Sequence, residues 1–115
     1  MRVLIIDDHP VFREGVRTLL ENQPNIEVVG VLGTGAGAAE LARAEQAEVV
    51  LLDVSLPDIP GHEVCRQIGV AAPLARVLML TANDNNETIR NALAAGAVGY
   101  VLKTEDPLRL IDHIW

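Results

Sequence analysis

Aromatic side chains are almost missing from this sequence, which holds one Phe, one Tyr and one Trp. A core made from it must be built from Val, Leu, Ile and Ala. Cysteine is nearly absent too. Cys65 is alone, so no internal disulfide can form, a usage that fits a reducing, cytoplasmic location. Basic residues are outnumbered: nine Lys and Arg stand against sixteen Asp and Glu, for a formal charge of -7. Such a surface repels phosphate backbones, so this segment alone should not grip DNA or RNA. It suits a site that holds cations. No apolar run approaches the roughly 20 residues of a membrane span. Met1–Ile6 is too short for a signal peptide and ends in two aspartates. What remains is a chain of 115 residues, half of them hydrophobic, which is enough for the core of one small domain.

Five apolar runs alternate with helical patterns. The runs are Val3–Ile6, Ile26–Leu32, Val49–Leu52, Val77–Leu80 and Val98–Leu102. All but the second are nearly continuous in aliphatic residues, as in strands buried on both faces of a parallel sheet. Pro10 suits the first turn of a helix with Val11, Phe12, Val16, Leu19 and Leu20 on one face and Pro24 beyond its end. Ala38–Ala47 is alanine-rich and helix-prone. A third helix is expected over about 61–70, with Val64 and Ile68 at i, i+4. A fourth, Asn86–Ala95, carries Ile89 and Leu93, with Gly96 as its cap. Asp106–Pro107 opens the last, with Leu108, Ile111 and Ile114 facing inward. Five βα units with right-handed crossovers make a doubly wound α/β sheet covered by helices on both faces. The sequence stops at Trp115 inside the last helix pattern. The expectation is one domain, 1–115, taken from a longer protein.

In an open α/β sheet, ligands bind beyond the carboxyl ends of the strands. Asp7 and Asp8 follow the first run, Asp53 the third, Thr81 and Ala82 the fourth, and Lys103 the fifth. Three carboxylates brought together repel one another. A hard divalent cation relieves this, and oxygen ligands suit Mg²⁺. Mg²⁺ takes only one or two carboxylates and leaves room for a phosphate. Asp53 can then act as a nucleophile and form an aspartyl-phosphate. Lys103 can pair with one phosphoryl oxygen and the Thr81 hydroxyl can donate to another, neutralising the charge of a phosphoryl transfer. A lone Asp after a strand is usually a cap or a turn residue. Four strand ends carrying this set together are much harder to dismiss.

These residues carry a resemblance. The chain resembles the receiver domain of two-component response regulators over nearly its whole length. The likeness rests on Leu4-Ile5-Ile6-Asp7-Asp8-His9-Pro10, on Leu51-Leu52-Asp53-Val54-Ser55-Leu56-Pro57 with Gly61, on Leu80-Thr81-Ala82, and on Gly96-Ala97-Val98-Gly99-Tyr100-Val101-Leu102-Lys103. The Asp-Asp-His-Pro start and the Gly-Tyr-Val-Leu-Lys stretch are most similar to the NarL/FixJ (LuxR-type) subgroup. The resemblance implies a CheY-like, flavodoxin-like (βα)5 fold with strand order 2-1-3-4-5. It implies that Asp53 takes phosphate from a sensor histidine kinase, that Asp8 binds Mg²⁺ directly and Asp7 largely through water, and that the Ser55 backbone carbonyl is a further ligand. Thr81 would be the switch hydroxyl, Tyr100 the switch aromatic, and Lys103 a contact to the phosphoryl group. Ser55 and Asn83 would tune dephosphorylation. Such a domain is no metabolic enzyme and catalyses only its own phosphorylation and dephosphorylation. Its role is phosphorelay signalling, with transcription regulated through a C-terminal DNA-binding domain outside this sequence. Thr104 stands where many receivers have a proline after the lysine. A cis bond before a non-proline costs about 3 kcal/mol, so the geometry of Lys103–Thr104 is a point for the structure.

Rival readings exist. Gly33-Thr34-Gly35-Ala36-Gly37-Ala38 fits the dinucleotide pattern, with Asp53 20 residues after Gly33 as the ribose acid. It leaves Asp7, Asp8, Thr81 and Lys103 unexplained, and a small-residue loop at a helix start reads the same way. A Mg²⁺-dependent aspartyl-phosphate phosphatase of the haloacid dehalogenase class wants an acid two residues after its nucleophile, where this chain has Ser55. His9, His62 and His113 share no metal-ligand spacing, although His9 adjoins Asp8. Cys65 reads as a small, partly buried helix residue. Dimerisation through the first and last helices, or through the switch face, stays open.

Overall fold

In the computed structural model, which describes residues 1–82 and 86–114 together with the backbone but not the side chain of Asn86, strands and helices alternate along the chain. They are β1 (Arg2–Ile6), α1 (Pro10–Glu21), β2 (Glu27–Leu32), α2 (Ala38–Ala44), β3 (Val49–Asp53), α3 (Gly61–Ala71), β4 (Arg76–Thr81), α4 (Asn86–Ala94), β5 (Gly99–Leu102) and α5 (Pro107–Ile114). The five strands form one parallel sheet in the order β2-β1-β3-β4-β5. β3 is central, and all five of its residues are buried.

Side-chain alternation along the strands separates two cores. Val3, Ile5, Val49, Leu51, Leu78, Leu80 and Val101 pack under α1 and α5, against Val16, Leu20, Leu110 and Ile114. Leu4, Ile6, Val50, Leu52, Val77 and Met79 pack under α2, α3 and α4, against Ala38, Ala42, Val64, Ile68 and Ala92. The lack of aromatics has a structural counterpart: the buried side chains that α2 and α4 contribute to the core are alanines, Ala38, Ala42 and Ala92.

Several expectations need adjusting. α2 ends at Ala44 rather than Ala47. Gln46 takes a left-handed φ of 52°, and the Ala47 amide turns back to donate to Ala42 O at 3.0 Å. The inward residues of α5 are Leu110 and Ile114, with Ile111 partly covered, while Leu108 is 61% exposed. Val11 is 90% exposed and stands off the α1 core face. On α4 the buried residue is Ala92, and Leu93 is half exposed. Cys65 is fully buried and donates to Ala95 O at 3.6 Å. No peptide bond is cis among the described residues, so Lys103–Thr104 is trans.

Candidate functional site

The same alternation builds the site. Val3 and Ile5 face α1 and α5, so Asp7 continues that row beyond the end of β1. Val49 and Leu51 make Asp53 the next member of the row on β3. Val101 makes Lys103 the next on β5. The register aligns these ends, since Ile6 pairs with Leu52, Asp53 with Leu80, and Thr81 with Leu102. Lys103 starts two strands away from β3, about 9.6 Å at ordinary strand spacing, and only a long side chain covers that span. Its Nζ lies 3.0 Å from Asp53 Oδ2 and 2.7 Å from Asp7 Oδ2. The amine also sits 4.8 Å from the centroid of the Phe12 ring, a cation–π contact that steadies the arm.

Asp7 is wholly buried and Asp53 nearly so. Burial is the main cause that pushes the Asp53 carboxyl above the ordinary aspartate range. The Ser55 amide, which donates to Asp53 Oδ1 at 2.9 Å, and Lys103 pull it back, and the neighbouring Asp7 charge adds to the rise. Asp8 is partly exposed at the rim. Its Oδ1 is buried without a hydrogen bond, as is Asp7 Oδ2, which Lys103 approaches without hydrogen-bond geometry. Buried carboxylate oxygens left in this state favour a cation. The donor set is oxygen-rich and suits a hard ion such as Mg²⁺. Asp7, Asp8, His9 and Asp53 each offer one ligand atom, all within 4.8 Å of one another.

Thr81 belongs to the opposite row. It is buried at the end of β4 and shares with Ser55, Ala82, His62 and Thr88 the lining of a cavity of about 290 Å³ beside Asp53. Tyr100, on edge strand β5, is 39% exposed. Asn83 lies outside the described residues.

Further residues frame the candidate site. The fold brings His9 Nδ1 to 3.1 Å from Asp7 Oδ1 and 3.4 Å from Asp53 Oδ2. Arg13 Nη1 donates to the Asp7 carbonyl at 3.0 Å and fixes the turn that carries the acidic pair. Gly61 permits close approach: a Cβ there would lie 2.6 Å from the Asp53 carbonyl oxygen and 2.6 Å from Val54 Cα. Asp58 accepts from the Gly35 and Ala36 amides at 2.8 and 2.9 Å, which holds its carboxyl below the usual range. Those amides would have to bind a pyrophosphate in the dinucleotide reading. Asp58 already occupies them, and a Cβ on Gly35 would lie 2.6 Å from Val64 Cγ2. The loop is a packed joint, and the dinucleotide reading falls.

A parallel sheet in this order, with an acidic crown over its central strand and a lysine reaching in from the edge, defines the flavodoxin-like class of α/β domains that work at the carboxyl rim of the sheet. The chain belongs to the response regulator receiver domain family, whose sequence profile matches residues 3–115. It is 38% identical over 113 residues to the nitrate/nitrite response regulator protein NarP of Escherichia coli K12, covering 98% of this chain and 53% of that protein. It is 36% identical over 114 residues to the transcriptional regulatory protein DegU of Brevibacillus brevis, covering 99% of this chain and 48% of that protein. The chain therefore spans about half the length of the curated relatives it matches. A LuxR-family two-component response regulator from Aurantimonas sp. SI85-9A1 superposes with a TM-score of 0.91 at 36% identity, over 98% of this chain and 81% of that one. The relatives are of the NarL/FixJ type. Mg²⁺ and phosphorylation are features of this family, as is interaction with histidine kinases. No helix among the described residues is long and apolar enough to cross a membrane.

Proposed function

We propose that Asp53 is the phosphoacceptor of a phosphorelay switch, supplied by a sensor histidine kinase and working inside a longer transcription regulator. The observation that carries this reading is the buried Asp53 carboxylate, held between the Ser55 amide and Lys103 Nζ at the end of the central strand. Asp8 and Asp53, with the Ser55 carbonyl and with Asp7 acting through water, would hold Mg²⁺, which neutralises the cluster and draws charge from the phosphoryl group.

The protein's own residues do the rest. A carboxylate oxygen of Asp53 forms the new P–O bond as the donor's P–N bond breaks, and the electron pair leaves with the donor imidazole. Lys103, already 3.0 Å from Asp53 Oδ2, donates to a phosphoryl oxygen. Thr81 donates to another by turning toward the phosphate from the wall of the neighbouring cavity. That movement opens room into which Tyr100, now part-exposed, can turn, and the face formed by α4, β5 and α5 changes shape. Phosphate shifts the balance only through these differential contacts. Ser55 and Asn83 would set the phosphate lifetime. Ser55 places no acid two residues after the nucleophile, so the product persists and the domain acts on itself alone. DNA would be contacted through a segment outside this sequence.

The test is incubation with Mg²⁺ and acetyl phosphate followed by intact mass measurement. Wild type should gain one phosphoryl mass and Asp53→Asn none. Equal gain in both proteins would overturn the assignment.

A further inference from the structure

We propose that Asp58 is a positioning residue for the reaction at Asp53: its carboxylate pins the loop between β3 and α3 to the glycine loop before α2, and so holds the Ser55 amide against the Asp53 carboxylate. The inference rests on the functional reading above, in which Asp53 takes the phosphoryl group.

The β3–α3 loop needs an anchor. It joins Asp53 to Gly61 without regular structure. Pro57 and Pro60 bring no N–H to it. Among the described residues, the amides of Leu56, Asp58 and Ile59 have no backbone carbonyl as partner. The loop is tied at its two ends. The Ser55 amide donates to Asp53 Oδ1 at 2.9 Å, and the Gly61 amide donates to the Val54 carbonyl at 3.1 Å. Asp58 supplies a tie between them. Its Oδ1 accepts from the Gly35 amide at 2.8 Å and its Oδ2 from the Ala36 amide at 2.9 Å. Two parallel charge-assisted bonds fix orientation as well as distance. Pro57 stands between this tie and Ser55. It fixes its own φ and keeps Leu56 out of the helical region, so few free dihedrals separate Asp58 from the amide that grips the acceptor.

The glycine loop is shaped to receive this carboxylate. Successive backbone amides form a concavity that binds anions. Gly35 presses on the β3–α3 loop itself: a Cβ there would lie 2.6 Å from Val64 Cγ2, 3.3 Å from Ile59 Cβ and 3.4 Å from Leu56 Cδ1. Gly37 turns the chain at φ 79°, which glycine adopts readily. The glycine pattern, which the chemistry at Asp53 does not use directly, thus has a role as the seat for Asp58. The tie is separable from the packing beneath it. Asp58 is exposed, whereas Leu56 and Ile59 are partly buried against the core. Removing the carboxylate therefore cuts the polar bonds and opens no cavity.

The experiment compares wild type with Asp58→Ala, Asp58→Asn and a control, Ile26→Val, at the amino end of the sheet. NMR reads hydrogen exchange at Gly35 and Ala36 and the Ser55 amide proton resonance. Intact mass against time reads phosphorylation by acetyl phosphate with Mg²⁺. In Asp58→Ala both amides should exchange faster, the Ser55 proton should move upfield as its bond to Asp53 loosens, and the phosphorylation rate should fall by about ten-fold through misplacement of the reacting group. Asp58→Asn keeps one acceptor oxygen and should fall between; it carries the same readouts if Asp58→Ala does not fold. Ile26→Val should lower the urea midpoint and leave the rate and the Ser55 resonance unchanged. A wild-type rate in Asp58→Ala overturns the proposal. So does a slower rate with an unmoved Ser55 resonance, because the carboxylate then acts through stability alone. Phosphate uptake by Asp53→Asn would overturn the acceptor assignment instead, and is separable because the exchange and Ser55 readouts need no phosphate.

Discussion

Asp53 is an acid kept where acids are unstable. Its folded-state pKa stands above its unfolded value, so folding favours its protonated form, mainly because of burial. The sign follows from linkage: such a carboxyl costs stability above its folded pKa, and the cost fades as pH falls toward the unfolded value. In a chelating buffer, Asp53→Asn should therefore raise the denaturation midpoint at pH 7, with a gain that shrinks on acidification. Urea titrations across that range check it. Lys103 has the opposite role. It is the ammonium between two buried carboxylates. Lys103→Met should destabilise the metal-free protein by roughly 3 kcal/mol, the scale for breaking a buried ion pair. Added Mg²⁺ should recover part of that loss in the same titrations. Cys65 is buried, and burial raises its pKa. A thiol reagent should label it only as fast as the protein unfolds.

At the scale of elements, the site depends on turns that hold strand ends at one height. α3 begins so close under Asp53 that Gly61 has no room for a methyl group. Gly61→Ala should cost about 1–3 kcal/mol through overpacking and slow phosphorylation by displacing the backbone of Asp53, which denaturation and mass-detected kinetics would read separately. Elements and site differed in how far the sequence disclosed them. Asp7, Asp53 and Lys103 are legible because each directly follows an apolar run, at the carboxyl end where an open α/β sheet binds its ligands. Thr81 was legible because it ends a strand. The inward face of α5 was not, because an eight-residue helix holds too few turns to fix its phase, and Leu108 was assigned inward when Leu110 is buried. The end of α2 was missed because the left-handed residue is Gln46 rather than a glycine. Asp58 was missed because the amides it holds lie 22 and 23 residues earlier, a link that exists only after folding.

For the whole molecule, fold and charge are coupled. The strands that meet at the crown also carry both cores, so an ion held there ties β1 to β3. Mg²⁺ at 100 times its dissociation constant should stabilise the folded chain by about 2.7 kcal/mol, and Asp8→Ala should remove that gain. The radius of gyration, 12.5 Å, lies near the roughly 13 Å expected of one domain this size, so crown and switch face belong to one body. Under the proposed function, the route from Asp53 to Tyr100 would lie within that one body. The most direct test is to trap the product. Borohydride reduces an aspartyl-phosphate to homoserine at the acceptor position. After reaction with acetyl phosphate, peptide mapping should find homoserine at position 53 when Mg²⁺ is present and none when it is chelated. Homoserine at another aspartate, or none with Mg²⁺ present, would contradict the account.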